Sequence, residues 1–163
     1  MNRHEQIVFH SPTRGVLGPE GVIGEIVAYI NLDPKRHYEI TVGTDSPSGE
    51  EVTLVTAVTC RKVGNGGRYF WTRSGSQHFH TLRERIWKEA LLSITLAQEI
   101  RSRLKDVLGE EIFWDNQVHI DVGENGLSRE FISEVVGMVR GNGFEAVIKP
   151  GSYCASVVAD RYT

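Results

Sequence analysis

An α/β fold built on a mixed five-stranded sheet is what the sequence predicts, on three observations. Three β-branched runs follow one another across short turns in the first half of the chain, the pattern of an antiparallel meander. A long segment with apolar residues at helical spacing comes next. Beyond it, short apolar strands alternate with helical patterns, an order that implies parallel pairing and helices packed on the faces of the sheet. The expected arrangement is an additional N-terminal helix followed by β-β-β-α-β-α-β-α.

Each element has a local reason. In "GPEGVIGEIVAYIN", Gly18 to Asn31, apolar residues at 22, 23, 26, 27 and 30 mark one face of a helix despite its glycines, and "LDPKR" stops it. "YEITVGTD" and "EVTLVTAVTCRKV" are rich in Val, Ile and Thr and are joined by "SPSGE", which predicts a hairpin. "NGG" then turns the chain into "RYFWTRS". The longest helix is "HTLRERIWKEALLSITLAQEIRSRLKDVL", with Thr81 as its N-cap and a stripe of Leu82, Ile86, Ser93, Ala97, Ile100 and Leu104 facing the sheet. "QVHIDVG" predicts a strand closed by "GENG", and "SREFISEVVGMVRGNG" a helix capped by Ser128 and stopped by Gly141 and Gly143. "FEAVIKP" is a fifth strand, and "SYCASVVADRYT" a last short helix.

The 163 residues, 40% hydrophobic and 24% charged, suit one globular domain over 1–163, read as an extension with its helix (1–37) and a core (38–163). No apolar run approaches the roughly 18 residues of a membrane span. "MNRHEQIVFH" lacks the apolar region and cleavage site of a secretory signal, so a cytoplasmic location is expected. Cys60 and Cys154 are too few for a disulfide framework or a cysteine zinc site and are expected as buried thiols. A net charge of -3 argues against binding a polyanion by bulk charge. Between Arg61 and Lys105, however, ten Lys or Arg stand against three acids. That excess is either a polyanion-binding face or an ordinary solvated surface.

The acids carry the chemistry. Asp45 ends an apolar strand just ahead of "SPSG", and Asp121 ends another. A strand-terminal Asp can bond the backbone of the following turn. It can equally present a rigid carboxylate at the carboxyl edge of a sheet, where open α/β sheets place their sites. If the two strands are parallel neighbours, their tips bring both acids together. Glu89 falls, at about 100° per residue, on the edge of the buried helical stripe, where an acid needs a partner, a proton or a cation. Glu84 lies near the opposite side, in a first turn that favours an acid. Asp160, in "ASVVADRYT", is a helix-end residue beside Arg161 when taken alone and a fourth candidate when taken with the other three. In "QHFH", His78 and His80 precede a helix at a spacing more typical of surface residues than of a zinc site. His119 alternates with Asp121 and is expected on its face of the sheet.

The blocks "VGTDS", "TLRERIWKEALLS", "VHIDVGENG", "EVVGMVRGNGFEAVIKPGSY" and "ASVVADRYT" together resemble the bacterial YkuK-type family of the ribonuclease H-like superfamily. The resemblance runs from about Ile40 to Thr163, and its last block is the most specific. It implies a ribonuclease H-like sheet in which Asp45, Glu89, Asp121 and Asp160 are the catalytic and metal-binding acids, with Glu84 as the alternative on the helix. Periodicity favours Glu89. The activity it implies is a divalent-metal-dependent nuclease that hydrolyses phosphodiesters of RNA or DNA with Mg²⁺ or Mn²⁺, in a two-metal site of cations about 4 Å apart. Nucleic acid is then the partner. Ser46 and Asn125 would orient water or substrate, His80 would contact a phosphate or act in proton transfer, and Arg73, Arg83 and Arg85 would hold the backbone. The rival expectation is a non-catalytic nucleic-acid or protein-binding module of the same fold, and a third is a structural subunit that uses the extra helix as an interface.

Overall fold

A computed structural model describes residues 7–109 and 114–163. Two three-residue strands, β1 (Phe9–Ser11) and β2 (Gly15–Leu17), precede the first helix α1 (Pro19–Leu32). The meander follows as β3 (Tyr38–Asp45), β4 (Glu51–Lys62) and β5 (Gly67–His78). Then come α2 (Leu82–Leu108), β6 (Trp114–His119), α3 (Ile132–Gly141) and β7 (Glu145–Val147). The chain closes on a widened π-helical segment, Cys154–Ala159, and a 3-10 turn, Asp160–Tyr162. Among the described residues no helix is long and apolar enough to cross a membrane.

All strands join one mixed sheet in the order β2-β1-β5-β4-β3-β6-β7. Among the described residues the sheet therefore has seven strands where the sequence predicts five. The two additional strands form a hairpin on the β5 edge, where His10 pairs with Trp71. Its turn is local chemistry: Ser11 Oγ accepts the backbone N–H groups of Thr13 and Arg14, and Gly15 takes a φ of 69° that suits glycine. Strands of three residues are too short for alternation to reveal them.

The two faces of the sheet differ. On one, Ile40, Val42, Val58, Cys60, Val118 and Ile120 pack against the buried residues of α1, α2 and α3, which makes the main core. On the other, Val55 and Ala57 pack against Cys154 and Ala159 of the terminal segment. Period-two alternation puts Ile40, Val42 and Thr44 on the helix side of β3, and Thr41, Gly43 and Asp45 on the other. Gly43 is the residue that lets the terminal segment lie directly on the strand. A Cβ there would stand 2.6 Å from the Ala155 nitrogen and 2.9 Å from the Cys154 carbonyl carbon.

Thr81 caps α2 as expected, its hydroxyl accepting the Glu84 N–H at 3.1 Å. Ser128 does not cap α3. It lies in a 3-10 turn, Leu127–Phe131, and its hydroxyl accepts the Gly123 N–H at 3.3 Å, so it secures the loop after β6 instead. Both cysteines are buried, and burial pushes each thiol up to about 12.

Candidate functional site

Register builds the site. β3 and β6 are parallel neighbours with Gly43 opposite His119, so Asp45 and Asp121, two residues further along each chain, end level at the same edge of the sheet. Adjacent strands lie about 4.8 Å apart, which puts the two carboxylates side by side. Glu89 reaches that edge from α2. One turn later on the helix, Ser93 Oγ hydrogen-bonds Thr44 Oγ1 at 2.7 Å, and this bond fixes the height of α2 against the strand that carries Asp45. Asp160 arrives from the opposite face at the end of the terminal segment.

These four acids line one cleft of about 450 Å³, together with Ser46, Arg85, Asn125 and Lys149. Asp45 and Glu89 are each only 7% exposed, Asp121 is half-buried and Asp160 is exposed. Burial, a carboxyl–carboxyl hydrogen bond with Asp160 and the charge of Asp121 together push Asp45 up to about 7. Burial and the charges of Asp45 and Asp121 push Glu89 up to about 8, against the opposing effects of Ser46 and Arg85. Ser46 Oγ donates to Glu89 Oε1 at 2.6 Å. Ser46 thus orients an acid of the cluster.

Asp121 has a different neighbour. Lys149 Nζ stands 2.9 Å from its Oδ1. That oxygen is shielded from solvent and receives no well-angled hydrogen bond, so the ammonium acts on it as a counter-charge more than as a directed donor. Among the described residues no three His, Cys, Asp or Glu side chains converge on a point that could hold a metal ion.

The structure separates the two helix acids. Glu84 accepts the His80 N–H at 3.0 Å and is part of the helix cap, whereas Glu89 lines the acid cleft. Of the basic candidates, Arg85 reaches the cleft wall and donates to the Pro47 carbonyl at 3.2 Å. Arg83 is paired with Glu134 at 2.7 Å, and Arg73 donates twice to the Tyr162 carbonyl; neither lines the cleft. His80 sits beside it in a depression of about 200 Å³ shared with Arg85, its ring edge-on to His78 at 4.6 Å. Much of the basic excess of this region is held internally: Arg61 by Glu39, Lys62 by Asp33, Arg103 by Glu99 and Arg101 by the Gly143 carbonyl. His119 lies on the face of Asp121, as alternation predicts. It is buried against Tyr153, its Nδ1 accepts the Cys154 N–H at 3.1 Å, and burial lowers it to about 4. It is a neutral tie for the terminal segment.

Lys149 is the cleft residue that sequence reasoning missed. A signal existed only once the pairing of the two strands was known. β6 and β7 are parallel with His119 opposite Val147, so the lysine of "AVIKP" ends level with Asp121 by the rule that joins the two aspartates. A larger open groove of about 910 Å³ adjoins the cleft through Leu82 and Leu127, with Trp87 and Phe131 in its wall. Its Glu84 is committed to the helix cap, so the concentration of chemistry lies in the smaller cleft.

Comparison with known proteins agrees with this topology. The family model described as Ribonuclease H-like matches residues 21–163. The uncharacterized protein YkuK of Bacillus subtilis (strain 168) is 29% identical to the chain, over 98% of each sequence. No solved structure matches. A mixed sheet with β3 and β6 as parallel neighbours, and a family match over most of the chain, agree: the chain belongs to the ribonuclease H-like family.

Proposed function

We propose that the protein is a divalent-metal-dependent phosphodiester hydrolase acting on RNA or DNA. The observation that carries this reading is the sharing of one cleft by Asp45, Glu89, Asp121 and Asp160, acids drawn from four separate segments of a ribonuclease H-like chain. Structural carboxylates are ordinarily paired or solvated; here two of them are held far above the carboxylate range by burial and by each other.

Hard divalent cations prefer such oxygen donors, so the donor chemistry of the four acids fits Mg²⁺ or Mn²⁺. Their present spacing stops short of a three-donor position among the described residues. When bound, the cations would supply an activated water and charge stabilisation for the leaving oxygen. The protein's own residues do the rest. Ser46 orients Glu89 through its hydrogen bond. Asp45, held at about 7 by burial and by its hydrogen bond with Asp160, would give up its proton when the cleft takes up cations. Arg85, Asn125 and Ser46 line the same cleft and are the candidates to position a phosphate backbone, with His80 beside them. Arg73 and Arg83 would contact a backbone only after leaving their present partners.

The test is a Mn²⁺-dependent cleavage screen over single-stranded DNA, RNA and hybrid duplexes. Cleavage by the wild-type protein that disappears in Asp45→Asn and Asp121→Asn is the expected result. One observation favours a second reading, a non-catalytic nucleic-acid or protein-binding module: the Lys149 ammonium already neutralises Asp121. In that case nucleic acid or protein would bind without Mn²⁺, indifferent to Asp45→Asn, and no substrate would be cut.

A further inference from the structure

Lys149 stands where a cation would. Register carries it from β7 to the level of Asp121, and its backbone N–H is pinned to the Val122 carbonyl at 2.9 Å. Gly123 lies beneath its stem: a Cβ at that position would meet Lys149 Cβ at 3.1 Å and Cδ at 3.4 Å. The stem therefore runs close over a bare glycine, and the ammonium ends 2.9 Å from Asp121 Oδ1. Among the described residues that oxygen has no hydrogen-bond partner, so the ammonium faces it as a charge alone.

We infer that the Lys149 ammonium is the resident cation of the acid cleft, and that a divalent ion binds there only by displacing it from Asp121. This rests on the metal-dependent reading above and adds a control to the same site. An ammonium is a compact point charge with no planar demand, so it can occupy a metal's electrostatic position without a metal's coordination geometry. The Lys149 side chain is 48% exposed and that of Asp121 23%, so the ammonium can swing into water on its flexible stem and be hydrated there. While it stays, it repels a second cation at contact distance and withdraws one carboxylate from the donor set.

Mn²⁺ binding measured by calorimetry on the intact protein tests this. Lys149→Met and Lys149→Gln should each bind Mn²⁺ on the order of tenfold tighter than wild type. Lys149→Arg, which keeps the charge, should not, and adding Asp45→Asn to Lys149→Met should remove the gain. In the wild-type protein, Mg²⁺ should also speed labelling of Lys149 by an amine-reactive reagent, read by mass spectrometry, because the ammonium is released from Asp121. This second readout needs no variant to fold. Equal or weaker Mn²⁺ binding by Lys149→Met and Lys149→Gln, or labelling unchanged by Mg²⁺, overturns the inference; if Asp45→Asn still abolishes wild-type binding, the metal-dependent reading survives it. No Mn²⁺ binding by wild type or by the Lys149 variants overturns both.

Discussion

At Glu89, burial and the repulsion of neighbouring carboxylates act in the same direction, and Asp45 is in the same position. An acid whose folded-state pKa is raised carries no cost below its unfolded value near 4, and the full cost above its folded value. Stability is therefore lost as pH rises through about 7 for Asp45 and about 8 for Glu89. His119 acts oppositely. Its folded value, lowered to about 4 from 6.5, gives stability that is present above about 6.5 and lost as pH falls below it. The two trends overlap in acid and separate above pH 6.5, where only the carboxyls act. In chelator-treated buffer the melting temperature should thus fall between about pH 6.5 and 8, and Asp45→Asn and Glu89→Gln should each flatten the slope. Mn²⁺ should restore more stability at the upper end of that range than at the lower, a difference readable in the same thermal scans.

Between elements, the decisive contact is the terminal segment on β3. Its closeness depends on Gly43, and the reason is space, since a Cβ would overlap backbone atoms that cannot rotate away. Gly43→Ala should cost about 1–3 kcal/mol in urea unfolding, the range for forcing atoms into a filled interior. It should also lift the segment that brings Asp160 to Asp45. Cys154 and Ala155 are fully buried beneath this contact, so the strain has no easy outlet. On the helix side, the Thr44–Ser93 bond plays the matching part and holds Glu89 at the level of the strand tips. A cluster built this way depends on two packing layers meeting at one edge.

The whole molecule closes around its own end. Tyr162 stacks on Trp71 with ring centroids 4.2 Å apart, its hydroxyl bonds that of Tyr69 at 2.6 Å, and its carbonyl accepts Arg73. His10, from the first hairpin, stacks on the same Trp71 at 4.3 Å. The strands before α1 and the last residues of the chain therefore share one aromatic ladder, in which Arg73 is a clamp. Tyr162→Ala should cost about 2 kcal/mol through lost stacking and hydrogen bonding. Freed from Asp160, Asp45 should then titrate nearer the ordinary carboxylate range, measurable by carboxyl-carbon NMR; an unchanged Asp45 would mean that the ladder does not hold Asp160 in place.

By itself the sequence determined the α/β class, the meander and the capped and striped α2, because each rests on short-range periodicity or on a residue's own chemistry, whereas the set of four acids came from the resemblance to a family, Asp160 reading alone as an ordinary helix-end residue. It also favoured Glu89 over Glu84, since helical spacing alone separates a core-edge acid from a first-turn acid. It did not reveal β1 and β2, whose three residues each are too few to alternate, and it assigned Ser128 to a cap that a 3-10 turn replaces. Only the tertiary structure decided that β3, β6 and β7 lie side by side and parallel, because pairing is a long-range choice that no local pattern encodes. From that one choice follow the meeting of Asp45 with Asp121 and the arrival of Lys149 beside Asp121.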